Sequence, residues 1–245
     1  MKRLLPGIFN LEGLRLGRVY AIEASDGLTL VDTSIPGSLP RIEKDLQSAG
    51  YQLSVIKRIL LTHAHWDHFG SLAALQEATG ARVYAHHRYE SAVLRGEKMP
   101  LHPDYKRLSR FDRVAYKLWS ERVLNYRITA RVDYELKEGD RLDEVMPGLV
   151  VIDEPGHSPG QCGFWLPEKR LLLAGDIMMR MPSGRFSLPL VSATPDLDEA
   201  KRSIHKVAEL GIDTICLGHG SPYVGGAAPA IRAFARKQRL SSIRF

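Results

Sequence analysis

The sequence predicts an α/β layered fold on three observations. Strand-like and helix-like hydrophobic periods alternate through the first third of the chain. Two hairpin signals each end in an acid, at Asp32 and Asp176. Two strand-rich halves each run into an amphipathic helix, and such halves can pack sheet on sheet with their helices outside. The chain has 245 residues, 44% hydrophobic and 25% charged, which is globular composition with length enough for a sizeable core.

The elements follow in order. Residues 19–23 and 28–32 flank Ser25-Asp26-Gly27, and Asp-Gly suits the positive φ angles of a tight hairpin turn. Ser38-Leu39-Pro40 opens a helix with Ile42, Leu46 and Ala49 on one face, stopped by Gly50. Residues 55–61 read as a buried strand. Leu72, Leu75 and Ala78 mark a short helix ended by Gly80, and residues 82–85 give another strand. In the second half, residues 149–152 are a strand, and residues 162–166 and 171–174 form the second hairpin. Thr194-Pro195-Asp196 starts a helix carrying Leu197, Ala200, Ile204, Val207 and Leu210, with Gly211 as its stop. Residues 212–217 make the last strand.

Residues 88–131 break this pattern. They hold eleven basic and five acidic residues, a net +6 that equals the charge of the whole chain. Phe111, Val114, Ala115, Leu118, Trp119 and Val123 form a helical stripe there, fit for a cap on the body or for a homodimer interface. The expectation is one domain over residues 1–245 with 88–131 as a helical insert. Tyr89, Tyr105, Phe111, Tyr116, Trp119 and Tyr126 would offer apolar surface to a substrate, and the basic residues would bind an acidic group.

Other classes are disfavoured. Two cysteines, Cys162 and Cys216, cannot build a disulfide framework, and their apolar surroundings mark them as packing residues. No stretch approaches the roughly 20 apolar residues of a membrane span. The basic start, Met1-Lys2-Arg3, lacks the apolar run of a signal peptide, so a cytoplasmic location is expected.

The residues that carry chemistry sit at strand ends. After the strand at 55–61 come Thr62-His63-Ala64-His65-Trp66-Asp67-His68. His63 and His65 are two apart, so extended backbone points both imidazoles the same way. Asp67 and His68 lie at the turn into the next helix. Further candidates are His157 in Asp153-Glu154-Pro155-Gly156-His157-Ser158-Pro159-Gly160, Asp176 after Leu173-Ala174-Gly175, and His219 in Leu217-Gly218-His219-Gly220. Ligands at strand ends converge on one edge of a sheet. The glycines beside them permit close backbone approach or positive φ. His86 and His87 fit surface or supporting roles, His102 could line a pocket within the insert, and His205 is expected on an exposed helix face.

This set of residues resembles the five-motif signature of the metallo-β-lactamase superfamily, over residues 32–219. The resemblance implies a four-layer αββα sandwich with a two-metal site along one sheet edge. It implies that His63, His65 and His157 bind one ion, that Asp67, His68 and His219 bind the other, and that Asp176 bridges them. Asp32 would support a ligand rather than be one. Imidazoles and carboxylates suit zinc, with manganese or iron as alternatives. The activity implied is hydrolysis by a metal-bridging hydroxide, with Asp67 orienting it and accepting its proton.

Departures narrow the reaction. Asp176 argues against a true β-lactamase, which lacks an acid there. Flavin-linked redox members put an acid in place of one first-cluster His and add a flavodoxin domain; neither is present. Met179 stands where several lactonases carry a tyrosine, and Met178, Met179 and Met181 read as a flexible apolar wall. Glyoxalase II-like thioesterases keep all seven ligands but continue into a C-terminal helical extension. The basic residues Arg232, Arg236, Lys237 and Arg239 are either a vestige of it or a solvated helix face. The expected function is therefore hydrolysis of a small-molecule ester, thioester or lactone. Phosphodiesterase or nuclease action and β-lactamase-like amide hydrolysis are the alternatives. Nucleic acid and membrane partners are disfavoured.

Overall fold

The computed structural model describes residues 1–97, 108–110, 113, 114, 116, 117 and 129–239. Among these, a seven-stranded sheet runs in the order β1 (Lys2–Leu5), β2 (Ile8–Asn10), β3 (Tyr20–Ala24), β4 (Gly27–Val31), β5 (Ile56–Leu60), β6 (Arg82–His86) and β7 (Tyr134–Leu136). Pairing is antiparallel from β1 to β4 and parallel from β4 to β7. The parallel steps need crossovers, which α1 (Leu39–Ser48) and the pair α2 (Trp66–Phe69) and α3 (Leu72–Thr79) help to supply. The helix α4 (Tyr89–Leu94) follows β6.

The second sheet starts with β8 (Val150–Asp153), β9 (Cys162–Leu166) and β10 (Leu171–Leu173), paired antiparallel. A small hairpin, β11 (Met179–Arg180) with β12 (Phe186–Ser187), comes next. Then α5 (Leu197–Ala208) leads into β13 (Thr214–Cys216), which lies parallel to β10, so the order is β13-β10-β9-β8. The chain continues into α6 (Ala227–Ala235). The Asp196 side chain accepts the Glu199 N–H at 2.8 Å and caps α5, within the Thr194-Pro195-Asp196 start that the sequence signals.

Alternation along the strands builds the layers. On β10, Leu171 and Leu173 face the space between the sheets, while Leu172 packs toward α5 and α6 with Ile204, Val207 and Ile231. On β3, Tyr20 and Ile22 point between the sheets, and Ala21 points toward α1 and α3 with Ile42, Leu46 and Leu75. These central strands are therefore apolar on both faces, as a sheet covered on both sides requires. The result is the expected four-layer αββα sandwich. Leu172, Leu46 and Phe164 are fully buried, and truncating such a leucine to alanine costs about 2–5 kcal/mol.

The halves are less alike than their shared pattern implies. The first sheet gains β1 and β2, too short to read from periodicity, and β7 from beyond the insert. Most of the stripe within the insert, and His102, Tyr105, Phe111, Trp119 and Tyr126, lie outside the described residues. Val114 is exposed and Tyr116 half-buried. Tyr89 does not stand free for a substrate: it packs into the core between the first sheet and its helices. No helix among the described residues is long and apolar enough to cross a membrane.

The two sheets are tied together at one edge. The Cys162 N–H donates to the Thr62 carbonyl at 2.9 Å, and the Tyr20 hydroxyl donates to the Leu217 carbonyl at 2.7 Å. The Arg18 N–H reaches the Gly218 carbonyl at 2.9 Å. These bonds hold the ends of β5, β9 and β13 beside one another.

Candidate metal centre

Five of the seven predicted ligands lie after strand ends or in the turns that follow them, Asp67 and His68 lie on a short helix, and the structure brings all seven together at the edge just described. His63 and His65 follow β5 in extended backbone. Asp67 and His68 occupy the single turn α2, which reverses the chain. His157 lies in the turn between β8 and β9. Asp176 follows β10, and His219 follows β13.

Two triads of donors result. One ligand atom each from His63, His65 and His157 lie within 4.8 Å of one another, and so do those of Asp67, His68 and His219. His65 Nδ1 and His157 Nε2 are 2.9 Å apart. His219 Nε2 lies 3.2 Å from Asp67 Oδ2. Asp176 stands between the triads. Its Oδ2 is 3.5 Å from His157 Nε2 and 3.2 Å from His219 Nε2, while its Oδ1 is 3.5 Å from His68 Nε2. A third group that could hold an ion, His63, His68 and Asp176, shares a member with each triad.

This donor set fits divalent ions. His63 Nε2, His68 Nε2 and Asp176 Oδ1 are buried without a hydrogen-bond partner. Buried polar groups are costly to leave unpaired, and these three orphans, within 4.8 Å of one another, make a group that could hold a cation. Gly218 has no room for a side chain: a Cβ there would come within 2.1 Å of Asp176 Oδ1 and 2.5 Å of His68 Cε1. The last strand must therefore present bare backbone to the centre.

The electrostatics of the triads diverge. Burial drives His63 well below the usual imidazole range, with its histidine neighbours adding to the effect. Burial and His65 together bring His157 down to about 3, and burial also lowers His65. For His219, burial acts downward but is outweighed by the bond to Asp176, which with Asp67 lifts it to about 9. His68 is raised well above the normal range in the same way, by Asp176 and Asp32 against its burial. Asp67 and Asp176 are both lowered despite burial, by His219 and by His68 respectively as their leading partners.

Supporting bonds orient the candidate ligands. Asp32 leaves β4 at a φ of 63°. It accepts from the Thr62 N–H at 2.9 Å and the Thr62 hydroxyl at 2.8 Å, and its Oδ2 lies 2.8 Å from His68 Nδ1. That bond directs His68 Nε2 inward, as a carboxylate behind a ligating histidine does. Asp32 therefore braces the imidazole of a candidate ligand. His63 Nδ1 is 3.1 Å from the Thr62 hydroxyl. His157 Nδ1 is 3.0 Å from the Thr194 hydroxyl, which donates onward to the Leu190 carbonyl at 2.8 Å.

Sequence reading missed Thr62 and Thr194 in these roles. Thr62 adjoined the His cluster and could have been found; Thr194 read only as a helix start. Of the other residues singled out, some stand as expected and some do not. Cys162 and Cys216 are free and buried in apolar packing, as expected. Met178 is core, not wall, because it packs beneath the centre with Ile177 and Leu217; only Met181 of the three is exposed. His205 is half-buried against α6's end, its Nε2 at 3.0 Å from the Gln238 carbonyl. His86 is fully buried, not superficial.

Comparison with known proteins agrees with the geometry. The metallo-beta-lactamase superfamily profile matches residues 13–219. The "probable metallo-hydrolase YflN" of Bacillus subtilis strain 168 is 29% identical over 86% of this chain and 83% of its own length. A hydroxyacylglutathione hydrolase of Ruegeria pomeroyi is 29% identical over 82% of this chain, which spans only 61% of that relative's length. Among solved structures, the metallo-beta-lactamase family protein TTHA1429 from Thermus thermophilus aligns with a TM-score of 0.70, 25% identity, and coverage of 96% of this chain and 80% of its own. TTHA1623, solved in a di-iron-bound form, aligns with a TM-score of 0.60, 27% identity, and coverage of 88% and 93%. With its hydrolase relatives, its sandwich and its paired His/Asp triads, the chain belongs to the metallo-beta-lactamase superfamily of hydrolases.

Proposed function

We propose that this chain is a dinuclear metal-dependent hydrolase that cleaves an ester, thioester or lactone bond of a small molecule. The observation that carries this reading is one carboxylate, Asp176, set between two three-donor groups. His63, His65 and His157 would hold one divalent ion, and Asp67, His68 and His219 the other. Zinc is the ion best suited to this nitrogen-rich set, with iron or manganese as alternatives. When bound, such ions supply Lewis acidity and lower the pKa of coordinated water to about 7.

The chain's own residues do the rest. Asp67 is kept ionised by His219 against its own burial, so it can orient a nucleophilic water and accept its proton. Neutral His63, His65 and His157 present lone pairs rather than protons. Asp32 holds the His68 imidazole and Thr194 that of His157 in fixed orientation, which keeps the nucleophile in line with the scissile carbonyl. No serine or cysteine nucleophile is required, and Cys162 and Cys216 are too buried and apolar to serve.

Support for a thioester comes from the hydroxyacylglutathione hydrolase relatives. The net +6 of residues 88–131 supports an acidic group on the substrate, with this insert as the specificity element of one hydrolase domain. The test is turnover of matched thioester, lactone, ester, β-lactam and phosphodiester substrates by metal-loaded protein. Thioester, lactone or ester turnover is expected. Phosphodiester turnover, joined to salt-sensitive nucleic-acid binding, would replace this reading with a nuclease. Deleting residues 98–125 should change substrate preference more than metal content; loss of metal instead would contradict a specificity role for the insert.

A further inference from the structure

His157 has a problem of position that His63 and His65 do not share. It comes from the second sheet yet must meet two imidazoles carried by the first. Its ring orientation is set by Thr194, but nothing in that bond sets how far its turn reaches across the edge.

A buried carboxylate fills that gap. Glu90, on α4 just beyond β6 of the first sheet, is 0% exposed, and so is Ser158, the residue after His157. The Ser158 hydroxyl donates to Glu90 Oε1. The Gly160 N–H is held by the same carboxyl group. Ser158 is also the centre of its own turn: its carbonyl accepts the Gly156 N–H at 3.1 Å and the Gln161 N–H at 3.2 Å. The backbone on both sides of His157 thus folds around one residue, and that residue is fastened to the opposite half of the molecule, 68 positions away.

The fit leaves no slack. A Cβ on Gly160 would fall 1.9 Å from Glu90 Oε2 and 2.6 Å from His86 Nδ1. Burying a carboxylate is unfavourable unless it makes bonds worth its desolvation. Core packing gives no reason for an acid here, whereas the turn of His157 gives one.

We propose that Glu90, acting through Ser158, is a positioning residue that sets the reach of His157 across the two sheets and so controls retention of one metal ion. This rests on the reading of His157 as a ligand. Glu90 stands near the start of the 88–131 insert, so the clasp also ties the base of that segment to the metal centre.

The test uses the full chain, stripped of metal and titrated with zinc against a chromogenic chelator to resolve two binding events. His157→Ala identifies which event depends on His157. Ser158→Ala removes one hydroxyl, and Glu90→Gln keeps the side chain's size. Each should weaken the His157-dependent event by about 10–100-fold, the usual effect of losing a group behind a ligand, and leave the other event unchanged. The double variant should be no worse than the poorer single one. In metal-free protein, amide exchange at residues 156–161 should quicken while the thermal midpoint stays near that of the parent.

Wild-type zinc binding in both single variants would overturn the proposal. So would equal weakening of both events with a fall in thermal midpoint, which marks general destabilisation, or strictly additive losses. Should Glu90→Gln fail to fold, Ser158→Ala decides alone. Two intact events in His157→Ala would instead overturn the ligand reading beneath the proposal.

Discussion

The two donor triads sit side by side and are built on opposite electrostatic plans. His63, His65 and His157 are imidazoles crowded by one another and by apolar packing, and each is pushed toward its neutral form. His68 and His219 face Asp32, Asp67 and Asp176, and each is pushed toward its protonated form. The first triad therefore favours neutral imidazoles, each keeping one N–H and offering one lone pair. In the second, His68 and His219 favour the doubly protonated form, so an ion must displace a proton there. Asp32 and Asp67 pair directly with the histidines of the second triad only, which creates this difference, and Asp176 is the residue that both sides share.

Removing that shared residue should have the largest effect. Loss of a group merely behind a ligand costs about 10–100-fold in metal affinity or activity, so Asp176→Ala should lower kcat/KM by more than about 100-fold. Metal analysis of the same variant should return fewer than two ions per chain. Full activity in Asp176→Ala would remove the bridge from the account.

Separate ligand deletions should then split the centre. His157→Ala and His219→Ala should each give up one ion and keep most of the other, read as stoichiometry after dialysis. A variant that loses both ions would make the triads one cooperative unit rather than two.

Asp32→Asn should act on one side only. It keeps the size of the side chain but weakens the bond that aims His68, so retention at the Asp67 triad should fall by about 10–100-fold while the three-histidine triad holds its ion. Equal losses on both sides would contradict the one-sided design.

A pH titration sharpens the same contrast. Imidazole NMR signals of metal-free protein should show His157 neutral down to about pH 3 and His219 protonated up to about pH 9. Metal binding must displace a proton wherever one is bound. Affinity at the Asp67 triad should therefore rise with pH up to about 9, while affinity at the three-histidine triad stays flat across neutral pH. The reverse order of titration would undo the comparison.

The smallest effect on the centre should come from Leu172→Ala, beneath α5. Thermal or denaturant unfolding should register a loss of about 2–5 kcal/mol, with the metal stoichiometry unchanged.

Much of this was readable before any coordinates. The candidate ligands stood out because strand ends concentrate them: His63, His65, Asp67 and His68 crowd one segment, and His157, Asp176 and His219 each follow an apolar run. The helices α1, α3 and α5 were legible from periodicity and from their glycine stops. What stayed hidden depends on distant pairing. β1 and β2 are too short to show a period. Met178 looked like pocket wall because nothing local says that the space beneath β13 must be filled. Glu90 looked like one more charge in a basic segment, since its partner Ser158 lies 68 residues away. The orientation of each imidazole is likewise a property of neighbours, Asp32 and Thr194, that only the folded edge brings close.

The central claim is that two ions occupy one edge, divided by Asp176. Metal content of the purified chain, reloaded with zinc and freed of excess, tests it most directly. Close to two ions per chain, falling to about one in both His157→Ala and His219→Ala, is the predicted result. Fewer than one tightly held ion per chain in the parent protein would contradict it.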